Sequence, residues 1–251
     1  MTIQYVSDLH LEFPENKRFL ENNPLLPTGD ILILAGDIIP FYLMDAHQDF
    51  FDFLSKNFKF TYWVPGNHEY YHFDINKRIG QFKEPIRDNV FLVNNTWVRH
   101  DNYRIVFSTL WSDISHRNAW MIENNMNDFH LIKDDEKRFS SFKYNELHQE
   151  SIAFLKSTIQ SEYQEKLLVV THHIPTLQNY PSEYKNSILT DGFVTDLDDL
   201  IIGSKIDYWI YGHHHRNITD FSVGNTKLLT NQLGYCERGE NKSFSTNKII
   251  K

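Results

Sequence analysis

Ile31-Leu32-Ile33-Leu34-Ala35 is an uninterrupted apolar run that stops at Gly36-Asp37. A strand with no polar alternation must be covered on both faces. A chain that contains such strands is built in layers around them. The pattern recurs. Ile3 to Val6 runs into Ser7-Asp8-Leu9-His10, and Phe60 to Val64 runs into Pro65-Gly66-Asn67-His68-Glu69. Leu167 to Val170 runs into Thr171-His172-His173, and Ile206 to Tyr211 into Gly212-His213-His214-His215. Each run reads as a buried strand that ends in nitrogen and oxygen donors. In open α/β sheets, sites form at the carboxyl ends of the strands.

The bulk composition sets bounds on this reading. The 251 residues suit one large α/β domain with a sizeable core, and 41% hydrophobic content is ordinary for a globular protein. No internal repeat, low-complexity segment or linker divides the chain, so residues 1–251 read as a single domain. The net charge of −8 repels a nucleic-acid backbone at long range. That argues against a protein that coats DNA or RNA, but not against a small phosphorylated substrate, because bound divalent metals reverse the local sign. Cys236 is the single cysteine, which excludes an internal disulfide and a cysteine-based zinc site. The N-terminus has no basic start or apolar core of a signal peptide, and no stretch approaches a membrane span. A cytoplasmic protein is the expectation.

Between the donor-bearing strands the spacing predicts further elements. Residues 15–27 read as a polar loop. Residues 45–58 read as a helix capped by Asp45, with Phe50, Phe51, Leu54 and Phe58 as its apolar stripe. A short helix is expected over 74–84. Three strand-like runs, 90–93, 97–99 and 104–109, resemble the antiparallel middle of one sheet. Residues 111–141 form a long irregular stretch, read as a cap or lid over the site. Within it, Arg117 and Arg138 are candidates for phosphate contacts or are simply solvated arginines. A helix over 143–162 buries Leu147, Phe154, Leu155 and Ile159. A helix over 196–202 ends at Gly203, and a hairpin turns at Gly224-Asn225.

The five strand ends offer Asp8 and His10, Asp37, Asn67 and His68, His172 and His173, and His213 and His215. Residues two apart in an extended segment point to one side, so Asp8 with His10, and His213 with His215, can each reach one ion. Asp8 is equally suited to capping a turn. The donors are too many for one tetrahedral zinc. Mixed imidazole and carboxylate suits Mn, Fe, Zn or Ni, and a shared carboxylate suits a pair of ions. Manganese is the first expectation.

These blocks, Asp8-x-His10, Gly36-Asp37, Gly66-Asn67-His68-Glu69, His172 and Gly212-His213-x-His215, resemble the five blocks of the calcineurin-like metallophosphoesterases, in the same order. The resemblance implies a four-layer α/β/β/α sandwich. It implies one metal on Asp8, His10, Asp37 and His215, and a second on Asp37, Asn67, His172 and His213, with Asp37 bridging. In the family the ligand directly follows the strand, three residues before a proline, which selects His172 over His173. The resemblance also implies a metal-bridging hydroxide that attacks phosphorus, with His68 assisting the leaving group. Glu69 is then expected to orient an imidazole from behind. A non-catalytic scaffold of the same fold that binds protein partners is the alternative. Such scaffolds lose ligands or the acid, and this chain keeps both.

Overall fold

Alternation along the buried strands determines the layers. The computed structural model describes residues 1–185 and 187–250. A first sheet contains β1 (Ile3–Val6), β2 (Ile31–Ala35), β3 (Phe60–Val64), β4 (Phe82–Arg87) and β5 (Val90–Asn94), in the order β1-β2-β3-β5-β4. β1, β2, β3 and β5 pair in parallel, and β4 closes the edge antiparallel to β5. The chain then crosses to a second sheet through β6 (Thr96–His100) and β7 (Tyr103–Ser108). A small ribbon follows, β8 (Lys133–Asp134) with β9 (Lys137–Arg138). The second sheet is completed by β10 (Lys166–Thr171), β11 (Ile206–Ile210), β12 (Phe221–Val223) and β13 (Thr226–Leu229), in the order β12-β13-β11-β10-β7-β6.

Ile31, Ile33 and Ala35 of β2 point into the same apolar cluster as Leu168 and Val170 of β10 and Ile210 of β11, so the two sheets pack face to face. Leu32 and Leu34 point the other way, into a cluster with Phe51 and Leu54 of helix α2 (Gln48–Asn57). Leu167 and Val169 of β10 likewise turn outward. They meet Ile152, Leu155 and Ile159 of a long helix, Ser141–Ile159, and Ile201 of a short one, Asp198–Ile202. Helix, sheet, sheet and helix therefore stack as four layers, as the family resemblance implies. Full burial of each of these Leu, Ile and Val side chains contributes roughly 1.5–3 kcal/mol.

Several local expectations are corrected. Residues 14–22 form helix α1, not a loop. Pro14 sits in its first turn, where a missing N–H costs nothing, and Asn16 rather than an apolar residue is its buried anchor. Asp45 does not cap α2; it lies in a 3₁₀ segment, Phe41–His47, and α2 begins after His47. Residues 74–84 hold only a 3₁₀ turn, Ile75–Lys77, and the start of β4. The three runs over 90–109 belong to two sheets, since β5 pairs with β3 while β6 and β7 edge the other sheet. The stretch 111–141 is ordered as helices α3 (Ala119–Asn125) and α4 (Asp128–Leu131) followed by the β8–β9 ribbon. Among the described residues no helix is long and apolar enough to cross a membrane.

Candidate metal centre

The loops that follow β1, β2, β3, β10 and β11 converge on one point. The carboxyl end of the first sheet brings Asp8, His10, Asp37, Asn67 and His68. The second sheet brings His172, His213 and His215. Backbone geometry aims them: Asp8, His10, Asp37, His213 and His215 all have φ between 47° and 83°, in the left-handed region. Non-glycine residues seldom occupy that region. Two glycines make the convergence possible. Gly36 has φ 87°, and a Cβ there would lie 2.5 Å from Cγ of His172. A Cβ on Gly66 would lie 2.6 Å from Nε2 of His172 and would also collide with the Asp37 carboxylate.

The donor atoms of Asp8, His10, Asp37 and His215 lie within 4.8 Å of one another, and so do those of Asp37, His172 and His213. Asp37 belongs to both groups. Asn67 joins the second group, with Oδ1 3.2 Å from Nε2 of His172. His10 and His215 face each other through Nε2 at 2.9 Å. Nδ1 of His10 donates to Glu12 at 3.2 Å, and Nδ1 of His215 donates to Glu240 at 2.8 Å. With Nδ1 committed, Nε2 of each ring is the free lone pair. His172 repeats the device by donating Nδ1 to the carbonyl of Ala35 at 2.9 Å. His213 inverts it, with Nε2 toward the carbonyl of Gly192 and Nδ1 3.1 Å from His172.

Electrostatics match this geometry. Burial alone would raise the Asp37 carboxyl, yet His172, His68 and His10 hold it well below the usual range. Burial likewise opposes the charge on His172, but Asp37 and then Asp8 hold its pKa up at about 9. His215 also stands at about 9, because the hydrogen bonds to Asp8 and Glu240 outweigh burial. His10 and His213 run the other way, lowered by burial and by neighbouring imidazoles, so the buried carboxylates draw positive charge onto His172 and His215 and leave the other two rings as neutral donors. All donors are N or O, in numbers that suit two divalent ions.

His173 stands apart from both donor groups. Nε2 bonds the Tyr144 hydroxyl at 2.9 Å, Nδ1 bonds the Thr109 carbonyl at 3.2 Å, and burial holds its pKa well below the usual value. His214 is turned away to Gln232, whose side-chain amide donates to Nδ1 at 2.8 Å. Glu69 orients no imidazole, contrary to expectation. Its carboxylate accepts backbone N–H groups from Asp37 at 2.9 Å, Ile38 at 2.6 Å and Gly66 at 2.5 Å, and the Trp63 indole at 3.2 Å. Burial and the Asp37 charge push its carboxyl up, and these donors pull it down. Arg117 is exposed, and Arg138 is tied to the carbonyls of Phe129 and Glu123; neither lines the cleft at the centre.

Sequence reasoning missed three carboxylates. One oxygen of Glu12 serves both His10 and His68, at 3.2 and 3.0 Å from their Nδ1 atoms. Glu240 holds His215. Asp128 accepts from the Asn67 amide and the Tyr71 hydroxyl, each at 2.8 Å. Glu12 had a local signal, two residues past His10; the other two act across long sequence separations.

A family model for calcineurin-like phosphoesterase matches residues 1–217. The chain belongs to the calcineurin-like phosphoesterases. Members use two divalent metal ions, and the Asp/His clusters described above are of the kind that binds them. The uncharacterized protein L509 of Acanthamoeba polyphaga mimivirus is 33% identical over 265 residues, covering 95% of this phosphoesterase chain and 93% of that protein. Among solved structures, the phosphopantetheinyl hydrolase of Mycobacterium tuberculosis superimposes with a TM-score of 0.73 over 99% of this chain and 95% of that one, at 18% identity. That likeness is one of fold. A dimetal phosphatase from Danio rerio aligns at 14% identity over 92% of this chain and 87% of that one, with a TM-score of 0.47.

Proposed function

We propose that this chain hydrolyses phosphate esters with two divalent cations, manganese first among them. Asp8, His10, Asp37 and His215 would hold one cation, and Asp37, Asn67, His172 and His213 the other. When bound, such a pair lowers the pKa of water and neutralises charge on phosphoryl oxygens. The observation that carries the reading is the sharing of Asp37 by two donor groups whose imidazole nitrogens and carboxylate oxygens converge within 4.8 Å of one another.

The protein's own contribution to the chemistry centres on His68. Its ring lines a cleft of about 450 Å³, with Nδ1 fixed on Glu12 and Nε2 toward the cleft, 3.3 Å from the Tyr235 hydroxyl. Burial disfavours its charged form, but Asp37 and Glu12 raise its pKa, so the ring carries a proton to the leaving-group oxygen. Residues 111–141 act as the cap: Asn125, Met126, Asn127 and Asp128 form one wall of the same cleft. Phe193, which stacks on His213 at 4.5 Å, lines the same cleft.

The test is turnover of a nitrophenyl phosphodiester and its matching monoester by manganese-reconstituted protein. Metal-dependent turnover of either supports the reading, and the preferred ester names the reaction class. Two bound ions with no turnover of either would overturn it in favour of a partner-binding scaffold.

A further inference from the structure

The family match ends at residue 217, yet the cleft does not. Its remaining wall comes from the segment after β13: Tyr235, Arg238 and Glu240 all line it. The Tyr235 ring lies 4.4 Å from the ring of His215 and 4.8 Å from that of His10, and its hydroxyl is 3.3 Å from Nε2 of His68. The Arg238 guanidinium lies 4.9 Å from the centre of that same Tyr235 ring. It therefore stands one aromatic ring removed from the proposed centre, at the cleft mouth.

Arg238 is the single lysine or arginine among the described residues that line the cleft. Among the described residues its guanidinium enters no hydrogen bond or ion pair with protein. Glu240, the cleft carboxylate two residues further along the chain, is engaged by His215 and by the backbone N–H of Tyr235. The other charged side chains at the cleft are acidic or are imidazoles at the proposed centre, His68 among them, and the whole chain carries −8. Away from that centre, Arg238 is the group that offsets this charge for an anionic group at the mouth. A planar fork of donors stacked on an aromatic face has restricted freedom and matches a carboxylate or phosphate in two-point fashion.

We propose that Arg238 is a specificity-determining residue that binds a second anionic group of the substrate, separated from the scissile phosphoryl group by a short spacer that passes the Tyr235 ring. The substrate class is a phosphate ester with a distal carboxylate or phosphate. The inference rests on the phosphoesterase reading above, and its test is chosen so that the two can fail separately.

Two competitors of similar size differ in one charge: glycerol 3-phosphate and 3-phosphoglycerate. Each is titrated against turnover of whichever nitrophenyl ester the manganese-loaded protein hydrolyses. The proposal expects 3-phosphoglycerate to inhibit on the order of tenfold more tightly, as one charge-assisted contact provides. Arg238→Gln should bring the ratio of the two inhibition constants close to one, Arg238→Lys should retain part of it, and Arg117→Gln, outside the cleft, should leave it at the wild-type value. A ratio near one in wild type, or a ratio unchanged in Arg238→Gln, overturns the proposal. If the loaded protein hydrolyses neither nitrophenyl ester, the phosphoesterase reading fails by itself. The same ratio is then read by calorimetric binding of the two competitors, with the same two outcomes.

Discussion

The carboxylate of Asp128 holds the side-chain amide of Asn67 at 2.8 Å and so turns the amide oxygen toward His172. The second oxygen of Asp128 is buried without a hydrogen-bond partner, and burial raises the pKa of the carboxyl. Such a residue is retained at a cost that its position must justify. Replacement of the partner that orients a metal ligand typically weakens metal binding about 10–100-fold. Asp128→Ala is expected to weaken one of two metal sites by that order and to leave the other. Metal titration followed by elemental analysis checks it; two unaltered affinities would refute the orienting role.

His68 and Asp37 separate chemistry from metal retention. His68→Ala removes no proposed ligand, so metal content should stay at the wild-type level while turnover falls on the order of 10²–10⁴-fold. Asp37→Asn removes the carboxylate common to both donor groups and should lose both metal and turnover. Parallel metal analysis and rate measurement decide the matter. Full metal content with full rate in Asp37→Asn would end the bridging assignment.

Glu69 is a structural clamp rather than a chemical group. Its two oxygens gather backbone N–H groups from the loops after β2 and β3, and the Trp63 indole besides. Glu69→Ala would leave these donors buried and unpaired, at about 1–3 kcal/mol for each group left unsatisfied. Urea unfolding of the metal-free protein should show a loss above about 3 kcal/mol, with the slope of the transition unchanged. A loss below about 1 kcal/mol would mean that water or a rearranged loop takes over the role.

Buried tyrosines set an alkaline limit. Burial raises the phenols of Tyr70, Tyr144 and Tyr211 far above their ordinary value, and that of Tyr62 to about 12. The folded state therefore keeps protons that the unfolded state releases near pH 10. Folded pKa values above unfolded ones mean that stability is fully present below pH ~10 and falls as the pH rises from there. Phenolate absorbance is expected in two stages, exposed tyrosines first and the buried set together with loss of the circular-dichroism signal. A single smooth titration with the fold intact would contradict this.

The layers were legible because continuous apolar runs such as Ile31–Ala35 and Leu167–Val170 have few ways to be buried. The convergence of the donor-bearing loops was legible because glycine, aspartate and histidine follow those runs directly. What stayed hidden has a physical cause in each case. α1 carries Lys17, Arg18 and Glu21 on its surface and meets the core through buried Asn16 and half-buried Phe19 and Leu20, too few apolar residues to stand out as a stripe. β5 and β6 are separated by Asn95 alone but enter different sheets, and no local pattern marks that crossing. Glu240 and Asp128 reach His215 and Asn67 from 25 and 61 residues away. Their roles arise only when the chain closes.

The left-handed conformation of Asp8, His10, Asp37, His213 and His215 has a bearing on how this protein can be altered. Each such residue costs roughly 1–2 kcal/mol that glycine would not incur. A laboratory selection that rewarded heat tolerance alone would thus favour glycine at the same five codons that carry the proposed metal donors. Enrichment of glycine there would yield sturdier, inert descendants. Only a screen that scores activity in every round would keep thermal improvement out of these loops and direct it to the rest of the scaffold.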